Sequence, residues 1–166
     1  MEQELNNRLP VVIDSREQLP FFMHPNFDAK IIKTVKGLKA GDYSLVGYEE
    51  KIAIERKSLR DLYGSFTSGR DRFEREFARL RDYEFSAVVV EATHNAILHP
   101  SEYDRYWRSR ANPGAVWQSI VSWSVKYPTH WYLLSNRRYA ETVTYDLLRH
   151  YWRMKHDAKQ KTFDID

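Results

Sequence analysis

Asp42, Glu55 and Lys57 are residues of the right types, at the right spacing, to do chemistry together. Strand-like residues 43–46 and 51–57 flank a turn at 47–50, so the stretch reads as a β-hairpin centred between Tyr48 and Glu49. Asp42 lies as far before that centre as Glu55 lies after it. In a regular antiparallel pair the two face each other, with Cβ atoms about 5 Å apart. Side chains alternate along a strand, so Glu55 and Lys57 share one face while Ile52, Ile54 and Arg56 share the other. Two carboxylates so placed repel. A hard divalent cation that favours oxygen ligands, Mg²⁺ or Mn²⁺, removes the repulsion. An adjacent ammonium can orient or deprotonate a water, or offset the charge of a phosphorane. Taken singly, each of these residues reads as surface charge, and Asp42 as a turn residue after Gly41.

The flanking elements must hold this end of the hairpin. Val11-Val12-Ile13 is a short apolar strand that runs into polar Asp14-Ser15-Arg16-Glu17. Residues 18–28, with Pro20, Pro25 and Asn26, read as loop, and 29–36 as a strand. Ser58 is placed to cap a helix, with Asp61 at the acidic position of a capping box, and Gly64 to Gly69 is expected to break it. Phe73, Phe77 and Leu80 recur at i, i+4, i+7 and predict a helix over 70–83. Residues 85–91 form a strand around Ala87-Val88-Val89-Val90. Asn112-Pro113-Gly114 opens a helix over 115–125, residues 131–134 a strand, and 138–152 a closing helix with Tyr139, Val143, Leu147 and Tyr151 at every fourth place. The result is one α/β unit with no internal repeat.

Composition narrows the function. The 166 residues suffice for one domain with a real core. Charged residues make up 30% of the chain, yet the net charge is only +3, so a basic face is expected rather than a basic tail. There is no cysteine, which excludes disulfide frameworks and thiolate metal sites. No apolar run approaches the ~20 residues of a membrane span. The start MEQELNNRLP has no apolar signal core, so an intracellular, cytoplasmic protein is expected. The glycines of residues 64–71 have phosphate-loop spacing, but Arg70 and Asp71 stand where that loop needs Lys and Ser/Thr. The six histidines show neither an i, i+4 pair nor a Cys partner, so a zinc site is not expected. Arg70, Arg72, Arg75, Arg79 and Arg81 stud one helix among Asp71, Glu74, Glu76 and Asp82, as a solvated face does. Arg70, beside Gly69, is the phosphate-contact candidate there. The five tryptophans are expected in the core rather than as base-stacking platforms.

An acid followed by Glu-x-Lys on the next strand is the pattern of the PD-(D/E)XK nucleases, and the surrounding residues narrow it. Ile54-Glu55-Arg56-Lys57-Ser58-Leu59-Arg60-Asp61 resembles the ERK-x-x-x-D signature of the XPF-type structure-specific endonucleases. Gly41-Asp42-Tyr43 resembles their GDY, and Asp14-Ser15-Arg16-Glu17 their D-x-R-E. Gly64-Ser65-Phe66 with Gly69-Arg70, and Val88-Val89-Val90-Glu91, resemble two later segments in the same order. The resemblance implies a restriction-endonuclease-like mixed sheet flanked by helices. It also implies an ERCC4-type nuclease domain over 11–154, with a lead at 1–10 and a polar tail at 155–166 that frays. The implied activity is Mg²⁺- or Mn²⁺-dependent cleavage near junctions of branched or flapped DNA. Asp42, Glu55 and Asp14 would be metal ligands, and Lys57 the catalytic lysine. Arg16, Glu17, Arg56 and Asp61 would support them, while Arg60 and Arg70 would touch DNA; Arg56, on the strand face away from Glu55, is expected in a structural or phosphate-positioning contact, with Asp61 as a candidate partner. Partners would be duplex or branched DNA and a second copy or a partner subunit, in an intracellular, nucleoid-associated or phage-encoded setting. Gly114 is the last glycine, so the glycine-bearing helix-hairpin-helix pair of larger members is not expected. The alternatives are a non-catalytic DNA-binding or scaffolding subunit, and a Holliday-junction-resolvase-like or restriction-like nuclease.

Overall fold

A computed structural model describes residues 8–163. Residues 1–7 of the expected lead and 164–166 of the expected tail lie outside them. Six strands form one sheet: β1 (Leu9–Asp14), β2 (Ile31–Lys36), β3 (Tyr43–Leu45), β4 (Ile52–Lys57), β5 (Phe85–Val90) and β6 (His130–Leu133), in the order β2-β1-β3-β4-β5-β6. β1 is parallel to β2 and antiparallel to β3, β3 is antiparallel to β4, and β4, β5 and β6 run parallel. The mixed sheet follows from the connections. The tight β3–β4 turn allows only antiparallel pairing, whereas β4 to β5 and β5 to β6 return through helices.

Both faces are covered. The helix α6 (Arg137–Phe163) packs Ala140, Leu148 and Tyr151 against Val11, Ile13, Ile52, Ile54 and Val89. The other face carries α1 (Leu59–Phe66), α2 (Arg70–Leu80), α3 (His94–Leu98), α4 (Pro100–Tyr103) and α5 (Pro113–Lys126). Their Leu62, Phe66, Phe73, Phe77, Ile120 and Trp123 meet Val88 and Val90. This explains the unbroken apolar run of β5: alternate residues feed two cores. It also divides β4, sending Ile52 and Ile54 under α6 and leaving Glu55 and Lys57 toward α1 and α2.

Several boundaries differ from expectation for local reasons. The first helix passes through Gly64 and ends at Phe66, the break falling at Thr67-Ser68-Gly69, where Gly69 N–H donates to the Gly64 carbonyl (2.9 Å). The second ends at Leu80 rather than 83, because the chain must turn into β5 at Phe85. The last runs to Phe163 instead of stopping near 152. Residues 153–163 hold neither Gly nor Pro to end it, and His156 stacks on Trp152 at 3.8 Å, so this part of the tail is helical. α3 and α4 were not expected. The Thr93 hydroxyl caps the first, accepting from Ala96 N–H (3.2 Å), and Pro100 opens the second.

Candidate active site

The hairpin register places the two acids as their spacing requires. Tyr43 pairs with Ile54, which sets Asp42 across from Glu55. Arg56 N–H donates to Asp42 Oδ2 (2.8 Å), and Asp42 N–H donates to the Ile54 carbonyl (2.8 Å). Gly41 makes the approach possible. Its φ is +74°, and a Cβ there would lie 3.0 Å from Ala53 Cβ and 3.2 Å from the Ile54 carbonyl oxygen. Glu55 is buried, and its Oε1 meets Lys57 Nζ at 2.6 Å. Lys57 in turn rests on the Phe73 ring, 4.7 Å from its centroid.

Burial with little compensation dominates the electrostatics. Asp42 is pushed up to about 7 by loss of water, with the Arg56 N–H and Lys57 opposing and Glu17 and Glu76 adding to the rise. Glu55 is raised well above its usual range by burial and then by Asp42. Burial works against the Lys57 ammonium, but Glu55, Asp42 and Glu76 outweigh it and hold the pKa above the ordinary lysine value. At neutral pH Lys57 is therefore a cation, and the acid pair carries less than its full charge.

Asp14 ends β1 on the wall of the same cavity, about 290 Å³ in volume, with Asp42, Glu55 and Lys57. Its carboxylate, expected as a third metal ligand, is instead engaged on both oxygens. It accepts from Arg16 N–H (2.8 Å), Arg16 Nε (2.7 Å), Arg16 Nη2 (2.9 Å) and Leu38 N–H (2.7 Å). Among the described residues no three Asp, Glu, His or Cys side chains are grouped so as to hold a metal ion by themselves. Mg²⁺ is commonly held by one or two carboxylates, the rest of its shell being water and substrate phosphate. Asp42 and Glu55 fit that description; Asp14 does not.

Arg56 points to the other face, as expected, but its partners differ. Arg56 Nε meets Glu91 Oε1 (2.6 Å), Arg56 Nη1 meets Glu17 Oε1 (3.2 Å), and the guanidinium lies over Phe21. Asp61, the candidate partner, belongs to the α1 cap, accepting from Ser58 Oγ (2.6 Å). The reason is topological: β5 lies beside β4, so Glu91 at its end is closer to Arg56 than a residue one helical turn further along the chain.

Residues 13–145 match the ERCC4 domain family. The chain belongs to that family. The DNA repair endonuclease UVH1 of Arabidopsis thaliana is 37% identical to this ERCC4 domain over 54% of the chain, and the DNA repair endonuclease XPF of Dictyostelium discoideum 30% identical over 84%. The aligned parts are 9% and 14% of those proteins, so the chain spans a small part of their length. Two solved structures of XPF from Aeropyrum pernix share the fold. One, with 22% identity, has a TM-score of 0.62 over 84% of this chain and 60% of that one. The other, a complex with DNA at 21% identity, has a TM-score of 0.59 over 91% and 66%.

The ERCC4 domain brings further residues to the cavity that the sequence reading left on a solvated face. Arg72, Glu76 and Arg79 project into it from α2, and Glu76 Oε1 accepts from Gly41 N–H (2.9 Å), beside Asp42. Their i, i+4, i+7 spacing was the available signal, hidden by the mixed charges between them. Arg70, the expected phosphate contact, lies instead across α5. Its guanidinium sits over Trp123 (5.5 Å), and Nη1 donates to Ser119 Oγ (3.2 Å). Arg60 is exposed and forms a bidentate pair with Asp104 (Nη2 to Oδ1, 2.7 Å). No helix among the described residues is long and apolar enough to cross a membrane.

Proposed function

We propose that this ERCC4 domain is a divalent-metal-dependent DNA endonuclease that cuts near junctions of branched or flapped DNA. One observation carries the reading: Asp42 and the buried Glu55 face each other across the hairpin and line one cavity with Lys57, Arg72 and Arg79. Such a pair gains most from a hard cation, and the arginines suit a phosphate. The names of the relatives and the DNA in one structural neighbour favour the same substrate class.

Asp42 and Glu55 would hold Mg²⁺ or Mn²⁺, which would polarise the phosphodiester and make water a better nucleophile. The chain's own contribution is positional. The Arg56 N–H and the Gly41 turn fix Asp42, and Lys57 places a positive charge against the scissile phosphate as charge builds there. Arg72 and Arg79 would align the backbone. Asp14, paired with the exposed Arg16, would line the cavity beside them. The site would act in a homodimer or beside a partner subunit, with the cavity itself built from one chain.

The test is cleavage of labelled fork, flap, nicked and intact duplex DNA with Mg²⁺ or Mn²⁺. The expected result is cutting next to the branch point by wild type and background cutting by Glu55→Gln, with DNA binding retained. Equal cutting by the variant removes Glu55 from the site. Binding without cutting by the wild-type chain favours a scaffolding subunit.

A further inference from the structure

The catalytic cavity does not end at Lys57. It shares Lys57, Ser65 and Arg72 with a second hollow of about 500 Å³ that continues past Arg60 and Gly64. That hollow shares Arg60 and Gly64 with a third, of about 480 Å³, bounded by Tyr63, Tyr106, Trp107 and Arg108. The three make one open groove along α1, from the acids to the irregular segment between α4 and α5.

Basic and aromatic residues cluster at the far end: Arg105, Tyr106, Trp107, Arg108 and then Arg110. The segment is fixed in place. Arg60 clamps Asp104, and Asp104 accepts from Tyr106 N–H (2.9 Å) and, at its carbonyl, from Trp107 N–H (3.0 Å). Trp107 is packed edge-on against Tyr63 at 4.6 Å. Tyr106 stays 59% exposed, with the Arg105 guanidinium over its ring at 4.5 Å. Arg72 and Arg108 are exposed at opposite ends of the path, and Asp104 is already neutralised by Arg60. Gly64 lies at the crossing, where an added Cβ would meet nothing within 4 Å.

We propose that this groove seats an unpaired DNA strand running from the catalytic cavity, with phosphates against Arg72 and Arg108 and a base stacked on Tyr106. The proposal rests on the nuclease reading above. An exposed, preorganised ring beside cations recognises a base face, which an unpaired strand offers along its length. A duplex keeps its bases stacked and presents phosphates alone.

The experiment measures binding in EDTA of a labelled fork with one unpaired arm and of a blunt duplex of the same paired length. The proteins are wild type, the double variant Tyr106→Ala/Arg108→Ala, and Gly64→Met. The double variant removes exposed groups, while Gly64→Met fills the groove from a helix position with open space. Both should lose about tenfold in fork affinity and less than about twofold on the duplex. Equal losses on the two DNAs, or none, overturn the proposal. So does a change of oligomeric state in sedimentation that accounts for the loss, since the face would then join copies of the chain. If fork preference behaves as expected but wild type cuts no DNA with Mg²⁺ or Mn²⁺, the nuclease reading fails and the strand seat stands. If wild type cuts and fork preference is untouched, the seat alone fails.

Discussion

Asp14 and Asp42 border the same cavity, and their backbones are joined, Asp14 N–H donating to the Asp42 carbonyl (2.8 Å). Their electrostatics are opposite. Burial pushes Asp14 up, but Arg16 and the Leu38 and Arg16 N–H groups outweigh it and hold the carboxyl below its usual value. Burial pushes Asp42 up to about 7, because one backbone N–H and a lysine shared with Glu55 are too little to offset it. Identical side chains a few ångströms of backbone apart thus become a completed ion pair and an under-compensated acid, the one proposed to hold a cation. What separates them is the number of donors the loops deliver, and not depth alone.

The largest expected effect tests whether Lys57 belongs to the reactive corner. Lys57→Ala should lower the single-turnover cleavage rate by roughly two to four orders of magnitude at saturating Mn²⁺, the range for losing a positioned proton donor or a transition-state charge partner. Arg16→Lys, at the completed corner, should change it far less. Similar losses in both would dissolve the distinction between the corners.

Stability gives the next effect, and its sign differs between the acids. Asp42 has a folded pKa above the ordinary 3.8. Its contribution is therefore intact below about that pH and is lost as the pH rises toward 7. Asp14 has a lowered folded pKa, so its contribution is present above the ordinary 3.8 and is lost as the pH falls through the folded value. In EDTA at pH 8, Asp42→Asn should raise stability by roughly 1–4 kcal/mol. Asp14→Asn should lower it by about 1–3 kcal/mol, through unpaired donors. Mn²⁺ should recover the loss in wild type and do little for Asp42→Asn. Thermal unfolding from about pH 2 to pH 8 measures all of this, and destabilisation by Asp42→Asn at pH 8 would show that the acid is compensated in the fold.

The same contrast explains what could be read from the chain. Asp42 opposite Glu55 was legible because a short turn fixes hairpin register, and register is arithmetic. The sides taken by Glu55 and Arg56 followed from strand alternation. The fate of Asp14 was not legible. Its partner Leu38 N–H comes from the loop after β2, and no periodicity reports where a loop amide points. Arg56 with Glu91 required knowing that β5 lies beside β4, a long-range pairing. Glu76 and Arg72 were on a helix that was recognised, but charges flank its apolar stripe of Phe73, Phe77 and Leu80 on both sides, so those turned to the cavity could not be told from those turned outward.

The smallest effect asks whether the cations of α2 divide as the acids do. Arg72 lines the cavity, whereas Arg70 lies over Trp123 and is bonded to Ser119. If the DNA backbone enters the cavity, Arg72→Ala removes one phosphate contact and Arg70→Ala removes none. Each phosphate neutralised contributes about 0.9 to the slope of log affinity against log salt on duplex DNA. Titrations of labelled duplex at several salt concentrations should therefore show a slope shallower by about one for Arg72→Ala and little changed for Arg70→Ala. The stacking of Arg70 on an aromatic ring makes its loss a matter of packing more than of binding. A slope change of equal size in both variants would mean that DNA crosses the outer surface of α2, and that the inward turn of Arg72 serves Glu76 and Asp42 instead of a phosphate.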